Sequence, residues 1–265
     1  MDFWSLMIKK DDIIIALAEK VRKLKSTFSR GNRNIKKNMQ LLPSEGNGLD
    51  LYILLNAPSL STQDISVLKD KNTMFVNRGF KHPLYGLLQP KYHVFCDTKM
   101  LKGIWPVSWI EEIWSISPRT KIILPLVWFS NPKFESYRNN PLIYWSDAEL
   151  PFHNLGVSGS CFAFAIQQKY NNIYFAGFDA TGIGHEMVKT ANSHFYGNDS
   201  ELEGKSCKQF VIDLYMHSRH LHDLNRLADY CNKKNIHLIN ITNGGMLDMF
   251  PRENILPIID HKEDF

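Results

Sequence analysis

The sequence predicts an α/β protein: an open, mostly parallel twisted sheet with helices on both faces, preceded by an N-terminal amphipathic helix. Three observations carry this. Six short runs are near-continuously apolar rather than alternating: LYILLN (51–56), TMFVN (73–77), YHVFC (92–96), TKIILPLVW (120–128), NIYFAGF (172–178) and IHLINI (236–241). Such runs belong to strands buried on both faces, because a solvated face would impose alternation. Helix-like stretches at 61–70, 105–116, 158–170 and 206–234 separate them. Finally, 265 residues with 44% hydrophobic and 22% charged side chains describe an ordinary globular chain, long enough for one large domain or a domain plus an appendage.

The first 48 residues form a segment of their own. Residues 11–28, DDIIIALAEKVRKLKSTF, read as a helix, with Asp11 and Asp12 at its positive end and Arg22, Lys23 and Lys25 towards its negative end. Ile14, Leu17, Ala18, Val21, Leu24 and Phe28 recur at three- and four-residue steps and make an apolar stripe beside a basic face. Packing against the main domain or a second subunit is one use for that stripe. Peripheral contact with an anionic membrane surface is the other. Residues 29–48 read as a polar linker.

Residues 1–40 hold ten Lys/Arg against four Asp/Glu, so they carry +6 of the net +4 and the remainder sums to −2. The body at 49–265 is therefore not a nucleic-acid surface. The apolar run Ile13–Ala18 is far shorter than the roughly 20 residues of a membrane span. No signal-peptide pattern opens the chain, which predicts a cytoplasmic protein.

The polar residues that end the apolar runs are the candidate site. In open α/β sheets ligands bind beyond the carboxyl ends of the strands. Asn56, Asn77–Arg78, Asp97 and Asp179 all stand there. Asn56-Ala57-Pro58-Ser59 turns the chain towards a helix, with Ser61 and Asp64 in capping-box positions. Ser158-Gly159-Ser160 opens another helix with residues small enough for close backbone approach.

Several classes are disfavoured. Gly156, Gly159 and Gly177 do not have dinucleotide spacing, and no GxxxxGK[ST] loop exists. The four cysteines lack CxxC spacing and read as free, small hydrophobes. There is no Asp-x-Asp pair for a divalent cation. His217 and His220 have i, i+3 spacing but no converging third ligand, so no metal is expected. Trp105, Trp109, Trp114 and Trp128 suit the core, with an acceptor cleft as the alternative.

In order, LLNAPSL, MFVNRGF, YHVFCDTKM, SGSCFAFAIQQKYNNIYFAGFD and NSHFYG resemble motifs of the bacterial lipooligosaccharide sialyltransferases, over roughly residues 50–252. Related bacterial domains share the late INITNGGMLDMFPR stretch. The resemblance implies a single Rossmann-like nucleotide-binding domain with a lid near 180–205, a CMP-sugar donor as co-substrate, and no cofactor or metal. It implies that Asn56, with Pro58 and Ser59, contacts the donor near its phosphate. Asn77, beside Arg78, falls where the family has a second nucleotide-binding Asn, and Asp97 replaces a third. Ser158-Gly159 match the Ser-Gly against the nucleotide, and Asn192-Ser193-His194 match a lid sequence. Two positions depart from the family: Asn198 stands where its general-base His would be, and Thr181 stands where a phosphate-binding Tyr would be.

Sugar transfer still needs a base and a stabiliser for the departing phosphate. His194 and His185 are the candidate bases, since histidine titrates near neutrality. Asp179 would position an acceptor or hold the lid, and Lys189, Tyr196 or Arg78 would cover phosphate charge. The expected function is transfer of a sialic acid-like or Kdo-like sugar from a CMP donor to a surface-glycan acceptor, lipid-linked in one version and met at the inner membrane face through residues 11–28. A pyrophosphokinase-type phosphotransfer enzyme and a non-catalytic nucleotide- or glycan-binding protein are the alternatives.

Overall fold

A computed structural model describes residues 3–27, 44–152, 155–181, 184, 194–197 and 206–259. The chain divides into two compact units, 1–42 and 43–265. In the first unit, α1 spans Phe3–Thr27. It begins eight residues before the predicted start. The charges Lys9 to Asp12 lie inside the helix, where the cost relative to alanine is at most about 0.7 kcal/mol per residue. Ile14, Leu17 and Val21 are solvent-exposed along it. Among the described residues no helix is long and apolar enough to cross a membrane.

The second unit is built on seven strands: β1 (Asp50–Leu54), β2 (Thr73–Val76), β3 (Tyr92–Val94), β4 (Lys121–Pro125), β5 (Ile143–Ser146), β6 (Asn172–Ala176) and β7 (His237–Asn240). All pairs are parallel, in the order β5-β4-β3-β2-β1-β6-β7. The expected open α/β architecture is what forms. Leu51, Ile53 and Leu54 are wholly excluded from solvent, each burial being worth roughly 1.5–3 kcal/mol. Steps from β1 to β5 run one way across the sheet, and those to β6 and β7 run the other. Right-handed crossovers then lay the connections on opposite faces.

Among the described residues the helices of this unit include α2 (Tyr85–Leu88), α3 (Thr98–Lys102), α4 (Trp109–Ile116), α5 (Gly156–Gln167) and α6 (Cys207–Lys234). The stretch expected as one helix at 61–70 is instead two 3₁₀ turns, Pro58–Thr62 and Ile65–Leu68. Ser61 does not cap; its hydroxyl donates to the Pro58 carbonyl at 2.8 Å. Asp64 caps the second turn, accepting from the Ser66 amide at 2.9 Å. The edge strand β5 has no counterpart among the predicted runs, because IYWS is short and only Ile143 is buried.

Residues 44–46 are tied to the body. The Ser44 hydroxyl and the Gly46 amide both donate to the Gln168 carbonyl, each at 3.0 Å. At the N-terminal ends of the strands, Glu45 accepts from Tyr92 Oη (2.9 Å) and from Lys121 Nζ, with Lys91 Nζ 3.4 Å away. Burial pushes the Glu45 carboxyl up, but the bonds from Lys121 and Tyr92 and the nearby charges outweigh it and hold it below the usual carboxylate range.

Candidate functional site

The sheet order reverses between β1 and β6, which makes their carboxyl ends the switch point where open α/β sheets bind ligands. The two chains stay paired past their strands. Leu55 N donates to Ala176 O, and Ala57 N to Gly177 O, both at 2.9 Å. They then diverge at Gly177, whose φ is +67° and whose added Cβ would sit 2.6 Å from the Leu55 carbonyl oxygen. Only glycine meets both conditions.

Beyond that divergence, Asp179 turns to the Pro58–Thr62 turn. It accepts from the Ser59 amide at 3.1 Å and from the Ser59 hydroxyl. Asp179 is itself gripped from behind: its carbonyl accepts from Met246 N at 3.0 Å, and Gly245 packs against its backbone. Ser59 and Asp179 thus hold each other, with Pro58 setting the first φ of the turn. Asp179, the candidate to position an acceptor or hold the lid, is bound here to the turn after β1, with the Ser59 amide and hydroxyl directed at it. Thr181 follows, half-buried.

One strand over, Asn56 Nδ2 donates to the Val76 carbonyl at 3.2 Å. That bond orients the amide, leaving Oδ1 buried and without a hydrogen-bond partner among the described residues. Asn77 Oδ1 is in the same state. Asn77 adopts φ +47°, a region asparagine tolerates better than most residues. Its carbonyl is held by His93 Nε2 at 2.9 Å, and the Tyr85 hydroxyl lies 3.0 Å from His93 Nδ1. Because a carbonyl can only accept, Nε2 carries the proton and Nδ1 accepts from Tyr85. Full burial pushes His93 down to about 3, so it is neutral.

Arg78 follows directly. Its guanidinium lies 5.2 Å from the Trp105 ring centroid, 5.8 Å from Trp109 and 5.6 Å from Tyr196. Tyr196 belongs to a short bridge in which Gly197 N donates to His194 O at 3.0 Å. Phe195 anchors that bridge: its amide donates to the Asn56 carbonyl at 3.1 Å and its ring meets His82 edge-on at 5.1 Å. Burial lowers His82 to about 4. His194 stacks on Tyr196 with centroids 4.8 Å apart and planes 18° from parallel.

Asn56, Asn77, Arg78 and His194 are therefore drawn together, linked by Tyr196 and Phe195. The other described candidates are held in local contacts. Asp97 caps α3, accepting from Lys99 N at 2.9 Å. Ser158 is buried inside the first turn of α5, its hydroxyl donating to Leu155 O at 2.8 Å. Gly159 is dictated by packing, since a Cβ there would lie 2.3 Å from Leu155 Cβ. The helix begins at Gly156, two residues before Ser158. Its start lies near the end of β3, with Cys96 Sγ 4.0 Å from Val157 O. Burial raises the Cys96 thiol to about 12, and none of the cysteines is in a disulfide. His185, Lys189, Asn192, Ser193 and Asn198 lie outside the described residues.

Trp105 and Trp128 are buried, while Trp109 and Trp114 are half-buried against the same core. The sequence reading did not single out His93 or Phe195. His93 left a signal: a titratable ring within a fully buried strand requires partners, and those partners mark an organised turn. Phe195 acts through its backbone, which no pattern of residue types reports.

Comparison with protein-family models, with curated proteins and with solved structures finds no match.

Proposed function

We propose that this chain is a metal-independent glycosyltransferase that moves a sialic acid-like or Kdo-like sugar from a CMP donor to a surface-glycan acceptor. The observation that carries the reading is the pair of buried amide oxygens, Asn56 Oδ1 and Asn77 Oδ1, neither with a hydrogen-bond partner among the described residues, the second on the residue that precedes Arg78. Unanswered acceptors call for a ligand with O–H or N–H donors, and the adjacent cation calls for an anion next to them. A nucleoside monophosphate offers both, in its ribose hydroxyls, its base amino group and its phosphate. The ordered motif resemblance narrows the nucleotide to CMP.

In the proposed reaction an acceptor hydroxyl attacks the anomeric carbon. The bond from that carbon to the phosphate oxygen breaks, and CMP departs with the electron pair. His194, stacked on Tyr196, takes the hydroxyl proton, and Arg78 offsets charge on the leaving phosphate. Asp179 and Ser59 keep the turn after β1 in place. The exposed apolar and basic residues of α1 would bring the enzyme to lipid-linked acceptors at the inner membrane face. Anionic liposomes should then co-float the full chain and not a chain lacking residues 1–42. Equal flotation of both removes that role.

A thermal-shift series with CMP, CDP, UDP, GDP and ATP tests the nucleotide. Selective stabilisation by CMP or CDP is expected. Selective stabilisation by ATP favours a phosphotransfer enzyme, and no response to any nucleotide favours a non-catalytic protein of other specificity. His194→Ala should abolish transfer while leaving CMP stabilisation intact, and unchanged turnover would remove His194 from the mechanism.

A further inference from the structure

Asn77 opens the 3₁₀ turn Asn77–Lys81 directly after β2, and it does so at φ +47°. A residue with a side chain is uphill in that left-handed region and persists there only where its surroundings over-determine it. Part of that determination comes from the neighbouring strand. His93 of β3 is in register with Phe75 of β2, and its Nε2 donates two residues further along, to the Asn77 carbonyl at 2.9 Å. Phe95 N turns away to Ile123 O of β4 at 3.0 Å, so the imidazole supplies the turn with a donor from β3. The ring is itself held. The Tyr85 hydroxyl of α2 lies 3.0 Å from Nδ1, and the Phe80 and Phe95 ring centroids lie 6.1 and 4.7 Å from that of His93. His93 and Tyr85 are at most 1% exposed. A bond at one ring nitrogen decides which nitrogen carries the proton. With Tyr85 donating to Nδ1, the proton stays on Nε2, where the Asn77 carbonyl accepts it. Two buried side chains thus fix the backbone of a residue whose own Oδ1 is buried without a partner among the described residues. A turn that served only the fold would be met more cheaply by glycine.

We infer that His93 and Tyr85 are positioning residues for the ligand site: they hold Asn77 in the left-handed conformation that keeps its side-chain oxygen available to an O–H or N–H donor of the ligand. The consequence for CMP affinity rests on the nucleotide reading of the site. The consequence for the conformation of Asn77 rests on the two hydrogen bonds alone. An acceptor already fixed in place loses less entropy when the ligand docks, so the pair acts on affinity without touching the ligand.

Three variants of the full chain decide it, each read in two ways. In ¹³C,¹⁵N-labelled protein without ligand, the Asn77 backbone carbon shifts and side-chain amide signals report its conformation. Calorimetric titration with CMP reports the consequence. Tyr85→Phe removes one hydroxyl and keeps the ring; it should broaden or split the Asn77 signals and weaken CMP binding about threefold. His93→Leu removes the donor; it should move the Asn77 shifts to those of an ordinary negative-φ residue and lower CMP affinity about tenfold or more. His93→Gln brings an amide Nε2 that can donate in place of the imidazole, so it should keep the Asn77 shifts near the wild type and stay within about threefold of its affinity. Both His93 variants lose the buried ring, so a merely structural role would weaken binding in both alike, and equal losses overturn the inference. Asn77 signals that match the wild type in Tyr85→Phe, or in His93→Leu, also overturn it, and the first of these holds even where the leucine variant does not fold. A wild type that ignores CMP removes the CMP reading instead, while the ligand-free Asn77 signals still decide the positioning.

Discussion

The two ends of the sheet differ in how they answer their buried polar groups. At the N-terminal ends, Glu45 is answered by Tyr92 and Lys121, Asp50 Oδ1 by Asn172 Nδ2 at 2.9 Å, and Thr120 Oγ1 reaches the Pro90 carbonyl at 2.8 Å. Thr73 Oγ1 is the exception there, buried without a partner among the described residues. At the C-terminal ends the amide oxygens of Asn56 and Asn77 are both buried without one. Each such group costs roughly 1–3 kcal/mol. One end is arranged for stability and the other keeps an unmet demand that a ligand can satisfy. That is the usual trade between stability and function.

The largest effect should come from forcing the divergence of β1 and β6. Gly177→Ala places a Cβ against the Leu55 carbonyl at positive φ and should destabilise the fold by about 3 kcal/mol in urea unfolding. An unchanged midpoint would mean the crevice floor is not rigid. Glu45→Ala leaves Lys121 and the Tyr92 hydroxyl short of their shared acceptor, and should cost about 2 kcal/mol. Nucleotide affinity should not change, because the lesion lies at the opposite end of the sheet. A parallel loss of affinity would couple ends that the account separates.

Asn77→Gly sharpens the contrast. It removes an unsatisfied oxygen and relieves a positive φ, so the apo protein should keep its stability or gain about 1 kcal/mol, while CMP affinity falls about tenfold or more. A clear loss of apo stability would mean the Asn77 side chain supports the fold rather than the ligand. Near neutral pH the smallest effect is the pH dependence. His93 and His82 are held neutral, with pKa values depressed to about 3 and about 4, so the unfolded chain binds protons that the folded one refuses. Their contribution is present above pH 6.5 and is lost as pH falls towards 4, with a slope of up to about 1.4 kcal/mol per pH unit for each ring. His93→Gln should flatten the curve. An equally steep curve in that variant would place the proton uptake elsewhere.

Much of the fold was legible because burial on both faces writes itself as continuous apolar runs, and six of the seven strands announced themselves that way. β5 did not, since an edge strand only half-buried over three of its four residues carries no such run. The helix expected over 61–70 failed for a related reason. Pro58 starts a 3₁₀ turn and Asp64 caps a second one, so a proline turn and one local cap overrule one periodic stretch.

The site was legible in part. Strand ends named Asn56, Asn77 and Arg78, whose positions follow from the sheet alone. The pairing of Ser59 with Asp179 joins residues 120 apart in sequence, and the ring cluster around Arg78 gathers side chains from three separate segments. Such tertiary matches leave no local pattern.

The central claim concerns two amide groups, and it can be read from them directly. In a ¹⁵N-labelled sample titrated with CMP, the side-chain amide signals of Asn56 and Asn77 should shift together and saturate with one affinity. Shifts confined to residues at the other end of the sheet, around Glu45 and Lys121, with both asparagine side chains unmoved, would contradict it.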